Sequence, residues 1–127
     1  MRYLTPEQVL FIHARLIAET GGEHGVRDLG FLQSAVARPM STFDGEELYQ
    51  DIHKKAAALM ESLINNHPFV DGNKRTGIAS AAMFLRVNGY SLTVSDAEME
   101  SFVLAVASGK QSLESIVEWL KTYIKTP

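Results

Sequence analysis

The segment His67-Pro68-Phe69-Val70-Asp71-Gly72-Asn73-Lys74-Arg75-Thr76 holds the densest set of reactive side chains in the sequence. Between His67 and Arg75 lie a titratable base, a carboxylate, an amide, two cations and a glycine. His67 is an imidazole, the side chain most often used to take a proton from an incoming hydroxyl. Asp71 is a hard oxygen ligand of the kind that suits Mg²⁺, which commonly arrives with phosphates. Lys74 and Arg75 bring charge and donors to phosphate oxygens. Gly72 lets the backbone turn tightly and approach a ligand closely. Phosphoryl transfer needs such a set: metal, cations, a helix dipole and a group that orients the nucleophile. Each residue also has a plainer reading. Asp71 could be an N-cap, Gly72 and Pro68 turn residues, Phe69 a core anchor, Lys74 and Arg75 a solvated face. Their joint order and position favour a phosphate-binding site that carries out phosphoryl transfer to a hydroxyl.

Two helices must position this loop. Pro68 disfavours helix at His67 and breaks the chain there. Upstream, Leu48–Asn66 reads as a long helix with an apolar face at Leu48, Ile52, Ala56, Leu59 and Leu63. Gln50, Asp51, Lys54, Lys55 and Glu61 are expected elsewhere on it. Downstream, a helix begins near Asn73–Lys74 and runs to Asn88, with Gly89 at C′. Its N-terminus offers free N–H groups and the positive end of the dipole to a phosphate. Gly77–Val87 is small or apolar on nearly every side, as in a helix covered by neighbours.

The other elements surround this pair. Thr5 caps a first helix, with Pro6 at N1 and Gln8 closing a capping box. Val9, Ile12 and Leu16, with Leu10 and Ile17, form its stripe, and Gly21-Gly22 stops it. Asp28 caps a short helix, Leu29–Ala37, that Pro39 ends. Met40–Glu47 lacks a helical period and reads as an exposed loop or short hairpin. Tyr90–Val94 is a short extended connection. Ser95 to Glu98 is a second capping box, with Met99, Phe102, Val103 and Val106 inward. Ser112 caps the last helix, whose stripe is Leu113, Ile116, Val117, Leu120 and Ile124. The expected fold is all-α: six helices in one domain over residues 1–127, a bundle around Thr76–Asn88, with at most one small hairpin.

Composition narrows the function classes. Apolar residues make up 46% and charged residues 21% of 127, ordinary for a soluble globular chain. Cysteine is absent, which excludes a disulfide framework and suits a reducing cytoplasm. The start MRYLTPEQVL has no apolar h-region, and no run reaches transmembrane length. A net charge of −3, with only Lys54–Lys55 and Lys74–Arg75 as a basic patch, argues against direct nucleic-acid binding. His13 reads as a partly buried, hydrogen-bonded histidine; His24 and His53 have no ligand spacing, so zinc is not expected. Met40, Met60, Met83 and Met99 read as gap-fillers. Trp119 and Tyr123 read as packing or a partner surface. Arg86 could reach the phosphates or pair with an acid.

The loop HPFVDGNKR resembles the signature of the Fic/Doc family, His-Pro-Phe-x-Asp/Glu-Gly-Asn-Gly/Lys-Arg. MRYLTPEQVL, the Arg27–Pro39 segment with Ala37-Arg38-Pro39, and FLRVNGY are similar to the Doc branch, so the resemblance covers nearly the whole chain. It implies the small all-α Fic core with the motif between two central helices. It implies His67 as base for the target hydroxyl, Asp71 as the Mg²⁺ ligand, and Asn73 and Arg75 as phosphate holders. Backbone amides near Gly72 would complete the anion site. Met40–Glu47 stands where the family's flap aligns the target chain by strand addition.

The family divides at the position after the Asn. Most Fic proteins have Gly there and a further Arg three residues beyond the first, and transfer AMP to a protein hydroxyl. Doc-type toxins have Lys and resemble kinases, moving the terminal phosphate of ATP to a threonine of elongation factor Tu. Here the residues are Lys74 and Ile78. A lysine fills space that glycine would leave for distal phosphates, and Ile78 supplies no second clamp. The expectation is therefore a Doc-like toxin and kinase using ATP and Mg²⁺, with Lys74 joining Gly72, Asn73 and Arg75 at the phosphates. The alternatives are a Fic-type adenylyltransferase and an inert binding module; intact His67, Asp71, Asn73 and Arg75 oppose the latter. Ala79 and Glu19 depart from the Doc pattern, which has a polar residue and a cation there. No inhibitory Ser/Thr-x-x-x-Glu-Gly/Asn segment is present, so the resemblance implies a separate antitoxin that folds across the loop.

Overall fold

Local signals in the sequence set most helix ends of the computed structural model, which describes residues 1–126. Helix α1 (Pro6–Thr20) starts on a complete capping box between Thr5 and Gln8. Asp28 caps α2 (Leu29–Ala37) by accepting from Phe31 N–H, and a 3₁₀ turn at Arg38–Met40 follows. Strands β1 (Thr42–Phe43) and β2 (Glu46–Glu47) pair antiparallel around Asp44-Gly45, so Met40–Glu47 is a short hairpin. Then come α3 (Ile52–Asn65), α4 (Asn73–Val87), β3 (Ser91–Leu92), α5 (Asp96–Ala107), α6 (Leu113–Tyr123) and β4 (Ile124–Lys125). The fold is all-α, six helices with only minor strands. Among the described residues no helix is long and apolar enough to cross a membrane.

Several expectations need correction. The long helix starts at Ile52, because the Asp51 carboxylate caps it at Lys54 N–H (2.8 Å). Leu48 instead closes the hairpin neck, its N–H donating to Ser41 O at 2.9 Å, and its side chain is exposed. Lys55 is buried, not on a polar face: Nζ donates to Pro39 O (3.1 Å) and Glu47 Oε1 (2.9 Å) and lies over the Tyr3 ring. The basic patch suggested at Lys54–Lys55 therefore does not exist. On α1 the buried line is Val9, His13 and Ile17, while Leu10, Ile12 and Leu16 are half-buried. The second capping box is half made: Ser95 accepts from Glu98 N–H, but the Glu98 carboxylate accepts from Trp119 Nε1 at 3.0 Å. Trp119 also stacks on Phe102, so it serves packing. Met60 fills the core, whereas Met40 and Met83 are exposed. A second small sheet pairs β3 with β4, drawing Ile124 out of the last helix.

The core gathers around α3 as much as α4. Residues Lys55 to Met60 of α3 are all buried. Helix α4 presses Thr76, Gly77, Ser80, Ala81 and Phe84 inward but leaves Ala79, Ala82 and Met83 along surface grooves. The close approach of α3 and α4 depends on Gly77: a Cβ there would lie 2.6 Å from Ile64 Cγ1 and 3.3 Å from Met60 O.

Candidate phosphate-binding active site

The loop between α3 and α4 is held from outside. His67 sits at φ 51°, in the left-handed region that is uncommon outside glycine and that neighbouring contacts enforce here. Arg27 supplies that enforcement, donating from Nε to His67 O (2.6 Å) and from Nη2 to Asn66 O (2.8 Å). The Arg27 and Asp28 amides both donate to Pro68 O, and Val70 N–H donates to Gly25 O (3.1 Å). Phe69 is buried in the core, as expected, and forms a β-bridge with Val26. The Asn73 amide clasps Phe69, accepting from its N–H and donating to its carbonyl, both at 3.0 Å. Asn73 Nδ2 also lies 3.5 Å from His67 Nδ1, too long to fix the ring's tautomer.

Beyond Phe69 the chain opens into a cavity of about 380 Å³ lined by Thr20, Gly21, Gly22, and Asp71 to Arg75. Gly72 stands at φ 80° as the N-cap of α4 and has no side chain to occupy the helix end. Among the described residues the N–H groups of Asn73, Lys74 and Arg75 have no acceptor, so they face an incoming anion with the helix dipole behind them. Lys74 is exposed and makes no ion pair among the described residues. Arg75 Nη1 donates to Thr20 Oγ1 at 2.7 Å, which steadies the guanidinium beside the cavity.

The Asp71 carboxylate faces the same cavity. Oδ2 accepts from Glu23 N–H (3.2 Å) and Oδ1 from Gly72 N–H (2.8 Å). These two bonds, that from Glu23 foremost, hold its pKa below the usual carboxylate value, with Arg75 and Lys74 adding to the effect. Each oxygen keeps a lone pair free. One carboxylate beside a phosphate loop fits Mg²⁺, which is usually held by one or two carboxylates plus substrate phosphates. No cluster of three or more acidic or histidine groups exists among the described residues, so phosphate oxygens and water would complete the shell.

The structure brings Asp71, Gly72, Asn73, Lys74 and Arg75 together at one cavity and sets His67 beside it across Asn73. Arg86 does neither thing considered for it. It lies about 17 Å along α4 from Arg75 at the helical rise and has no ion pair among the described residues. Glu19 pairs with Arg15 on the surface at 2.9 Å, and Ala79 lines a groove next to Arg75. Sequence reasoning missed Arg27, Gly22 and the full role of His13. Gly22 looked like a helix stop, but a Cβ there would lie 2.7 Å from Asp71 Oδ2.

A small helical fold that presents such a loop at the start of an inner helix defines a class, and residues 3–85 match the model of the Fic/DOC family. The chain belongs to that family. Its branch is Doc-like. It is 54% identical over 72 residues to "Toxin Doc" of Mycolicibacterium smegmatis, a match covering 57% of this chain and 55% of that protein. It is 31% identical over 121 residues to "Protein kinase doc" of Escherichia phage P1, covering 95% of this chain and 94% of the relative.

Proposed function

We propose that the chain is the toxin of a toxin–antitoxin pair and a protein kinase that moves the γ-phosphate of ATP to a Thr or Ser hydroxyl. The observation that carries this reading is the Asp71–Arg75 cavity. It offers phosphate oxygens three free N–H donors, Lys74 and Arg75, beside a carboxylate whose pKa is lowered. Position 78 speaks against AMP transfer. Distal phosphates held deeper would meet Ile78, a buried aliphatic chain, and their charge would go uncompensated.

In the reaction the target oxygen attacks the γ-phosphorus, and His67 accepts the hydroxyl proton. The bond to the bridging β-oxygen breaks and ADP leaves with that oxygen. Lys74, Arg75 and the α4 amides stabilise the charge that spreads over the three equatorial oxygens. Mg²⁺ held by Asp71 would neutralise the same oxygens when bound. Asn73, whose amide oxygen and one N–H are engaged by Phe69, acts here chiefly by shaping the loop. The hairpin β1–β2 aligns the target by strand addition. Elongation factor Tu is the target that the Doc resemblance favours. A separate antitoxin restrains the free toxin, and the protein works in the cytoplasm.

The test uses host lysate and ATP labelled separately at the α- and γ-phosphates. Label from γ on the target hydroxyl, with none from α, is expected. An added AMP on the target by mass spectrometry would establish the adenylyltransferase instead. Absence of any transfer, with no stabilisation by ATP and Mg²⁺ in thermal melts, would leave only a binding module.

A further inference from the structure

His13 is buried under the motif loop, and the chemistry above gives it no task. It comes from α1, 58 residues away from Asp71 in sequence. Its ring lies flat on Phe69, centroids 3.8 Å apart and planes within 5°. Its Nε2 lies 2.8 Å from the carbonyl oxygen of Asp71. A carbonyl only accepts, so Nε2 carries the proton. A Cβ on Gly72 would stand 3.6 Å from the His13 ring.

The peptide whose oxygen His13 holds is the peptide whose N–H belongs to Gly72. That N–H donates to Asp71 Oδ1 at 2.8 Å. One peptide plane is therefore gripped at both ends, by an imidazole on its oxygen and by the carboxylate on its hydrogen. Glycine tolerates either orientation of the plane before it, so the loop itself supplies only the Asp71 carboxylate to hold one. With the plane turned over, Gly72 N–H would leave Asp71 Oδ1 and the carbonyl would point at the cavity meant for an anion.

We propose that His13 is a positioning residue: its Nε2–H bond fixes the Asp71–Gly72 peptide and so aims both the Asp71 carboxylate and the N-terminus of α4 into the phosphate cavity. The inference rests on the reading that this cavity takes a nucleotide with Mg²⁺. It does not depend on which phosphorus is attacked.

The test compares His13→Gln with His13→Met in the full chain. The two side chains are nearly isosteric and lose the ring stack equally. Only Gln can still donate to the Asp71 carbonyl. Two quantities are read: Mg²⁺-dependent ATP affinity by calorimetry, and hydrogen exchange of the Gly72 amide without ligand. His13→Met should weaken binding and speed exchange by about 2–10-fold relative to His13→Gln, the range one hydrogen bond is worth. Equal values for the two variants overturn the proposal. Asp71→Asn is the control for the reading beneath it. If that variant binds Mg²⁺ and ATP as wild type does, the metal site is wrong, and the exchange comparison still decides His13. Should neither His13 variant fold, ring ¹⁵N shifts of the wild type decide: a protonated Nε2 protected from exchange supports the bond, and a bare Nε2 excludes it.

Discussion

At the scale of single residues, the site rests on two side chains held in unlike ways. His67 is exposed, and its left-handed backbone is clamped by Arg27. Its ring is thus free to meet a substrate while its main chain is not free to relax. His67→Ala should lower the transfer rate by roughly 10²–10⁴, as for loss of a general base, with ATP affinity nearly unchanged. Single-turnover rates beside calorimetric affinities check it, and full activity would remove His67 from the base role. Asp71 is fixed by the amides of Glu23 and Gly72, which lower its pKa. A lowered folded-state pKa favours the ionised form above the unfolded value and loses that advantage as pH falls through the folded value. Mg²⁺-dependent binding should therefore persist through mildly acidic pH and fail only below the ordinary carboxylate range. Asp71→Asn should weaken it at every pH, with little change in urea midpoint. An unaltered Mg²⁺ dependence in that variant would reduce Asp71 to a turn residue.

At the scale of elements, the hairpin β1–β2 is tied down by a buried cation. Lys55 of α3 joins Pro39 O to the Glu47 carboxylate, so both sides of the hairpin's base hang on one ammonium group. Burial lowers the Lys55 pKa, but the contacts with Glu47 and Tyr3 outweigh it and hold the net value above that of an ordinary lysine. The lysine therefore stays charged through neutral pH, and its hold on the hairpin weakens on the alkaline side only as it deprotonates. Glu47 is half exposed, and neutralising both partners together leaves no buried charge unpaired. The double variant Lys55→Met with Glu47→Gln should keep the fold yet free the hairpin. KM for the protein target should rise about 3–10-fold if the hairpin loses one or two hydrogen bonds' worth of order, while KM for ATP stays put. Equal shifts in both would show that the hairpin does not align the target.

At the scale of the whole molecule, the site depends on how closely α3 and α4 approach, since the loop spans their ends. Gly77→Ala gains about 1 kcal/mol of helix propensity but forces a Cβ to within 2.6 Å of Ile64 Cγ1. Overpacking typically costs 1–3 kcal/mol, so a net loss of about 1 kcal/mol is expected in urea unfolding. A stabilised variant would mean that the two helices can part without strain.

Much of this architecture lay open in the chain itself. Thr5, Asp28, Ser95 and Ser112 cap helices by accepting from amides three residues on, and such local geometry is written in nearby residues. The reactive set from His67 to Arg75 is contiguous, so its grouping was legible as well. Other features required the fold. Asp51 displaced the expected start of α3, because a helical period cannot say which of several nearby polar residues will cap it. Lys55 and His13 looked like surface and bland core. Their partners, Glu47 and Pro39 for the one and Phe69 and Asp71 for the other, come together only when distant segments pack. The sequence by itself determined the chemistry on offer and most helix limits, through contacts within a turn or two. Only the tertiary structure brought the second grip on the Asp71–Gly72 peptide, because glycine leaves its orientation open and His13 lies 58 positions away.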